Sequence, residues 1–164
     1  MPDGLVPWVI GRVYTIQREP SEAVPYFEEA LPYLERTAQL TPMDGETLVR
    51  LAQVYQGLGR REEALRTLGS AGNSEEALFM ALELGVELAG QGLRAQAAEA
   101  FEKATASSNR TLAFAAHKSV GMMYFYYLDR MAEGVVHFER AFALEPENAE
   151  APLLRQVIDE YWKR

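Results

Sequence analysis

Few residues of this chain are of a type and spacing to do chemistry. His117 and His137 are its two histidines, and it has no cysteine. A metal centre needs three or four ligands. Glu133 lies one helical turn before His137, but one carboxylate and one imidazole do not make a site. No second histidine stands at ligand spacing on the same helix, and His117 reads as a packing residue. The carboxylate pairs Glu28–Glu29, Glu62–Glu63 and Glu75–Glu76 fall near helix starts or on exposed faces, where they favour the helix dipole or solvate the surface. Acid–base work by a carboxylate pair would need a cleft, which the sequence does not show. The glycines at 57–59 and 90–92 lack a phosphate-loop or dinucleotide fingerprint and read as hairpin turns. Asn109-Arg110-Thr111 is a glycosylation sequon, meaningful only on a secreted eukaryotic chain. The rings of Tyr124, Phe125, Tyr126 and Tyr127 could stack on bases. The net charge of −8, with no concentrated basic surface, argues against nucleic acid and against an anionic membrane face. No catalytic residue, cofactor or metal is expected, and the chain does not read as an enzyme.

The elements that carry these residues are helices. Strong helix formers dominate, apolar residues recur at three and four, and strand-like alternation is absent. The spacing predicts helices over 4–17, 20–40, 45–58, 61–70, 74–90, 94–106, 110–128, 131–144 and 149–163. Asp44 is the expected cap of the third, Asn73 with Glu76 of the fifth, Ser108 or Asn109 of the seventh, and Asn148 of the last. Gly57 and Gly59, Gly69 and Gly72, Gly90 and Gly92, and Pro146 are the expected stops. Pro25 and Pro32 lie inside 20–40. Each removes a backbone hydrogen bond at a cost of about 3 kcal/mol, so a kink, or a break near Pro32, is expected. With 164 residues, 48% of them hydrophobic, the chain suits one domain over 1–164 or one uninterrupted array of repeats. The N-terminus has no basic start, and no apolar run is long enough to cross a bilayer; a cytoplasmic protein without membrane insertion is expected.

One phrase recurs four times. An apolar residue precedes a small one, and an aromatic residue or leucine follows three later: Ile10-Gly11…Tyr14, Leu51-Ala52…Tyr55, Leu84-Gly85…Leu88 and Val120-Gly121…Tyr124. Each continues with a small residue and a large apolar one four later: Ala23…Phe27, Ala64…Leu68, Ala97…Phe101 and Gly134…Phe138. The phrase resembles the tetratricopeptide repeat, W-x2-L-G-x2-Y…A-x3-F…P over about 34 residues. Trp8 lies one place late, Gly134 replaces alanine, one extra residue separates Tyr124 from Gly134, and the fourth unit alone keeps the closing proline, Pro146.

The resemblance implies an all-α, right-handed superhelix of four helical hairpins, near 4–41, 45–73, 74–109 and 110–147, with a capping helix over 148–164. A related alpha-solenoid is the alternative fold. The resemblance also implies a concave groove lined by first helices: Leu5, Trp8, Arg12 and Thr15; Glu46, Val49, Gln53 and Gln56; Phe79, Leu82, Val86 and Ala89; Ala115, Lys118, Met122 and Phe125. Of these, Trp8, Arg12, Val49, Gln53, Phe79, Leu82, Val86, Lys118, Met122 and Phe125 are the expected partner-binding residues. The carboxylate clamp by which family members hold acidic peptide tails is incomplete, so a chaperone adaptor is disfavoured. The stretch Leu78–Ala89 is apolar nearly all round, which calls for cover on more than one side. The expected partner is a protein or peptide segment with an apolar face, held between Arg12 and Lys118. The alternatives are a self-assembling homo-oligomer, to which Tyr161 and Trp162 could contribute, and the helical sensor portion of a larger regulator.

Overall fold

The structure is a computed structural model and describes residues 4–163. Met1 to Asp3 and Arg164 lie outside the described residues. The elements run α1 (Leu5–Ile16), α2 (Pro20–Leu40), α3 (Gly45–Gly57), α4 (Arg61–Ser70), α5 (Glu75–Gly90), α6 (Arg94–Ala104), α7 (Arg110–Met122), a π-helical turn (Met123–Tyr127), α8 (Met131–Leu144) and α9 (Ala151–Trp162). No strand occurs among the described residues. Contacts divide the chain into two compact units, one up to Met80 and one from Ala81, and the chain passes from the first to the second within α5.

Side-chain caps fix the starts of α3, α5 and α7. The Asp44 carboxylate accepts from the Glu46 N–H, and the Asn109 side chain accepts from the Leu112 N–H. At α5 the cap is Ser74, whose Oγ accepts from the Ala77 N–H at 3.2 Å, and not Asn73 as the sequence suggested. Asn148 acts before α9 rather than at its first turn: its Oδ1 accepts from the Glu150 N–H, and α9 begins at Ala151.

Each hairpin turns in the same way. Arg18, Gly59, Gly92 and Asp129 take left-handed φ of 62°, 71°, 80° and 54°. The next N–H then reaches back to the motif's aromatic or leucine: Glu19 to Tyr14 O at 2.9 Å, Arg60 to Tyr55 O at 2.8 Å, Leu93 to Leu88 O at 3.0 Å, and Arg130 to Tyr124 O at 2.9 Å. This is the Schellman closure of a helix C-terminus. The fourth spans one residue more than the others. The extra residue is absorbed by the π turn, where the Leu128 N–H bonds to Met123 O at 3.0 Å.

In the first unit, α1 packs on α2, α2 on α3, and α3 on α4. The centre is Phe27. A Cβ at Gly11 would stand 2.6 Å from one side of its ring, and a Cβ at Gly57 would strike the other side. Gly57, the last residue of α3, is therefore a packing glycine as well as a helix end. α2 is continuous over Pro20–Leu40, with neither proline breaking it. Pro25 and Pro32 both lie on its exposed face, where the carbonyls they leave unpaired can turn to water.

In the second unit, α6 packs on α7, α7 on α8, and α8 on α9. Phe101 lies on Gly85, and Phe138 on Gly121, as Phe27 lies on Gly11. Phe114, Val135, Phe138, Ala141, Leu154 and Ile158 form one buried cluster. Gly134 stands where the repeat prefers alanine because the π turn leaves no room: an added Cβ would be 2.8 Å from the Phe125 backbone nitrogen.

Candidate interaction faces and a buried histidine pair

The candidate binding residues sit on α1, α3, α5 and α7, except Phe125, which lies in the π turn. In the first unit, α1 and α3 bring Trp8 and Gln53 together. The Trp8 Nε1–H donates to Gln53 Oε1 at 3.0 Å, and Gln53 Nε2 reaches Glu76 Oε1 of α5 at 3.5 Å. Arg50 lies over the Trp8 ring, 5.1 Å from its centroid, and pairs with Glu46. Arg12 is half-buried and pairs with no carboxylate among the described residues. Val49 is only 1% exposed. It belongs to the core and has no surface to offer a partner, which corrects its place in the expected groove.

α5 leaves part of its apolar surface uncovered. Ala77, Leu78, Ala81, Leu84 and Leu88 are buried, but Phe79 is 52% and Val86 60% exposed. These two lie two helical turns apart, with half-buried Leu82 between them.

In the second unit, Met122 is 39% exposed. Two other expected contacts are already taken. Lys118 Nζ binds both oxygens of Glu150, at 2.8 and 2.9 Å, and lies over the Phe114 ring. Its charge is matched within the unit. Phe125 packs on the buried cluster, its ring 5.9 Å from Phe138 and 6.3 Å from Tyr161. It is partly buried and packs inward on that cluster. Tyr161 is likewise packed, whereas Trp162 is exposed with its Nε1–H on Glu139.

The contact between the two histidines has no local signal in the chain. They stand on facing helices, α7 and α8, with Nδ1 atoms 3.0 Å apart and ring centroids 5.1 Å apart. The ring of Tyr124 meets His137 edge-on at 5.9 Å, and its hydroxyl donates to Glu102. Burial, then His137 and Arg140, push the His117 imidazole down to about 4. Burial, then Arg140, also lowers His137, against Glu102 and Glu133, which raise it. Burial and the Glu102 carboxylate raise Tyr124 to about 12. Two imidazoles are too few to fill a zinc coordination shell. Among the described residues no group of three or more histidine or carboxylate side chains is placed to hold a metal ion. No helix of the described residues is long and apolar enough to cross a membrane.

No protein-family model matches the chain, and no curated protein sequence does. Solved structures do match it in fold. A Podosopora anserina putative kinesin light chain with nearly identical TPR-like repeats shares 18% identity, over 99% of this chain and 88% of that one, with a TM-score of 0.62. MamA from Desulfovibrio magneticus RS-1 shares 16% identity, over 99% and 93%, with a TM-score of 0.57. YrrB, described as a TPR protein with an unusual peptide-binding site, shares 23% identity, over 89% and 71%, with a TM-score of 0.55.

Proposed function

We propose that this chain, having the tetratricopeptide-repeat fold, is a non-enzymatic interaction module that takes an apolar-faced peptide or helix along α5. The observation that carries this reading is the exposure of Phe79 and Val86 on one line of that helix, with Leu82 between them. Side chains of this size, uncovered and in register, supply the anchors that a helix or extended segment needs. The peptide-binding site described for YrrB is a precedent for such a role on this fold. Of the other expected contacts, Arg12 in the first unit is half-buried and Met122 in the second is exposed, whereas Val49 is buried, Phe125 packs on the buried cluster and Lys118 is paired with Glu150.

The test is selection of displayed peptides on the intact protein, followed by fluorescence polarisation of those selected. Phe79→Ser and Val86→Ser replace exposed side chains and should leave the urea midpoint almost unchanged. Each is expected to weaken the selected peptides by about tenfold, as loss of one anchor does. Peptides that bind both variants as well as the parent would overturn the reading.

A second reading, self-association, rests on α1. Val6, Val9, Val13 and Ile16 are all exposed along one stripe of that helix. Light scattering over a concentration series tests it. A strict monomer sinks this reading, and a dimer lost on Val9→Glu supports it.

A further inference from the structure

We propose that the His117–His137 pair is an acid-released latch between α7 and α8, which holds while one Nδ1 is unprotonated and opens when both carry a proton. The chemistry follows from the 3.0 Å Nδ1···Nδ1 distance. Between neutral rings, one Nδ1–H donates and the other Nδ1 accepts, so the accepting ring carries its own proton on Nε2. The two histidines therefore hold opposite tautomers. A first added proton goes to the Nε2 of the donating ring and leaves the bond in place. A second must go to the accepting Nδ1. It removes the only lone pair at the contact, and two cationic N–H donors then face each other.

The surroundings favour the neutral pair. Buried His117 lies at 9% exposure, and His137 is half-buried. The charged and titratable groups facing the pair are Glu102 on α6, Tyr124 on the π turn, Arg130 in the following turn, and Glu133 and Arg140 on α8. Glu133 is held by Arg130, and Glu102 by the Tyr124 hydroxyl, so neither carboxylate is placed on an imidazole as a hydrogen-bond acceptor. α9 turns its charges to its own side chains, Arg155 to Asp159 and Gln156 to Glu160. The next residue after His137 is Phe138, at the centre of the buried cluster, and the residue after His117 is Lys118, which ties α7 to Glu150 at the start of α9. Parting the two rings therefore loosens the packing under α9 as well as the α7–α8 contact.

The direction with pH is fixed. A histidine whose folded pKa lies below its unfolded value of 6.5 contributes its full stabilisation above that value, and loses it as pH falls toward the folded value. His117 and His137 are the only histidines, so no other side chain with an ordinary pKa titrates between pH 7.5 and 5.5.

The experiment uses the whole chain. Long-range proton–nitrogen NMR at pH 7.5 is expected to show one Nδ1–H ring and one Nε2–H ring, with a scalar coupling across the shared proton that disappears in acid. In urea titrations the unfolding constant is expected to rise about tenfold or more between pH 7.5 and 5.5, with His117 alone supplying that factor. His117→Gln with His137→Gln keeps polar groups in place, cannot protonate, and should abolish the rise. Two rings in the same tautomer, each titrating near its ordinary value, would overturn the proposal. So would an unfolding constant that is flat over this range in the parent, or that rises equally in the variant. Should the variant not fold, the parent's NMR titration decides alone.

Discussion

A phenyl ring pressed against a helix backbone leaves no room for a methyl group, and Phe27 makes this demand on both sides. Gly11 of α1 takes one side and Gly57 of α3 the other, so the ring cannot shift away from an intruding atom on either. Gly57→Ala is therefore expected to lower the stability of the chain by about 1–3 kcal/mol, the usual cost of overpacking a filled core. Gly69, in the last turn of α4, has nothing within 4 Å of its would-be Cβ and an ordinary φ. Gly69→Ala should raise stability by up to about 1 kcal/mol through helix propensity alone. Urea denaturation of the two variants reads opposite shifts from one chemical change. Equal shifts would mean that propensity, not the fit around Phe27, sets the cost at Gly57.

Among the elements, the π turn shows how one inserted residue propagates. It spans Met123–Tyr127, adds one residue to the loop closed by the Arg130 N–H to Tyr124 O bond, and brings the Phe125 backbone against Gly134. The insertion and the glycine are thus one event in the structure, although they are ten residues apart in the chain. Gly134→Ala should cost about 1–3 kcal/mol in the parent. Deleting exposed Tyr126 should return the turn to α geometry and remove most of that cost. A double-mutant cycle measures the coupling, and strict additivity would show that the two features are independent. The helix ends were legible because their signals are local: Asp44 and Asn109 cap within a few residues of themselves, and the apolar spacing at three and four marks the rest. The extra residue near Tyr124 was visible as well, but its π form depends on how α7 and α8 pack, which no local pattern encodes. The same holds for the histidine contact. His117 and His137 lie on different helices and meet only because the hairpin closes with both rings inward. The expected place of Phe125 in the repeat assumes an α-helix, whereas Phe125 lies in the π turn with its ring against Phe138.

At the scale of the whole molecule the question is whether two compact units make one cooperative body. The repeat pattern predicts a single array over 1–164, whereas the contacts part the chain between Met80 and Ala81. That division falls inside α5, whose Leu78 and Leu84 are both fully buried. A single array would unfold as one cooperative body, and α5 runs without a break through the division. The chain's two tryptophans allow a direct test, since Trp8 lies in the first unit and Trp162 in the second. Trp162→Phe leaves fluorescence from the first unit, and Trp8→Phe leaves it from the second. Each variant is followed through urea at neutral pH, above the range in which the histidines titrate. Coupled units should give slopes against urea that agree between the two reporters. Val54 is fully buried in the first unit, and Val54→Ala removes about 1–2.5 kcal/mol of packing there. In a coupled molecule that substitution moves the midpoint seen by Trp162 as far as the midpoint seen by Trp8. If the Trp162 curve stays where it was, the units unfold separately and the array is two domains.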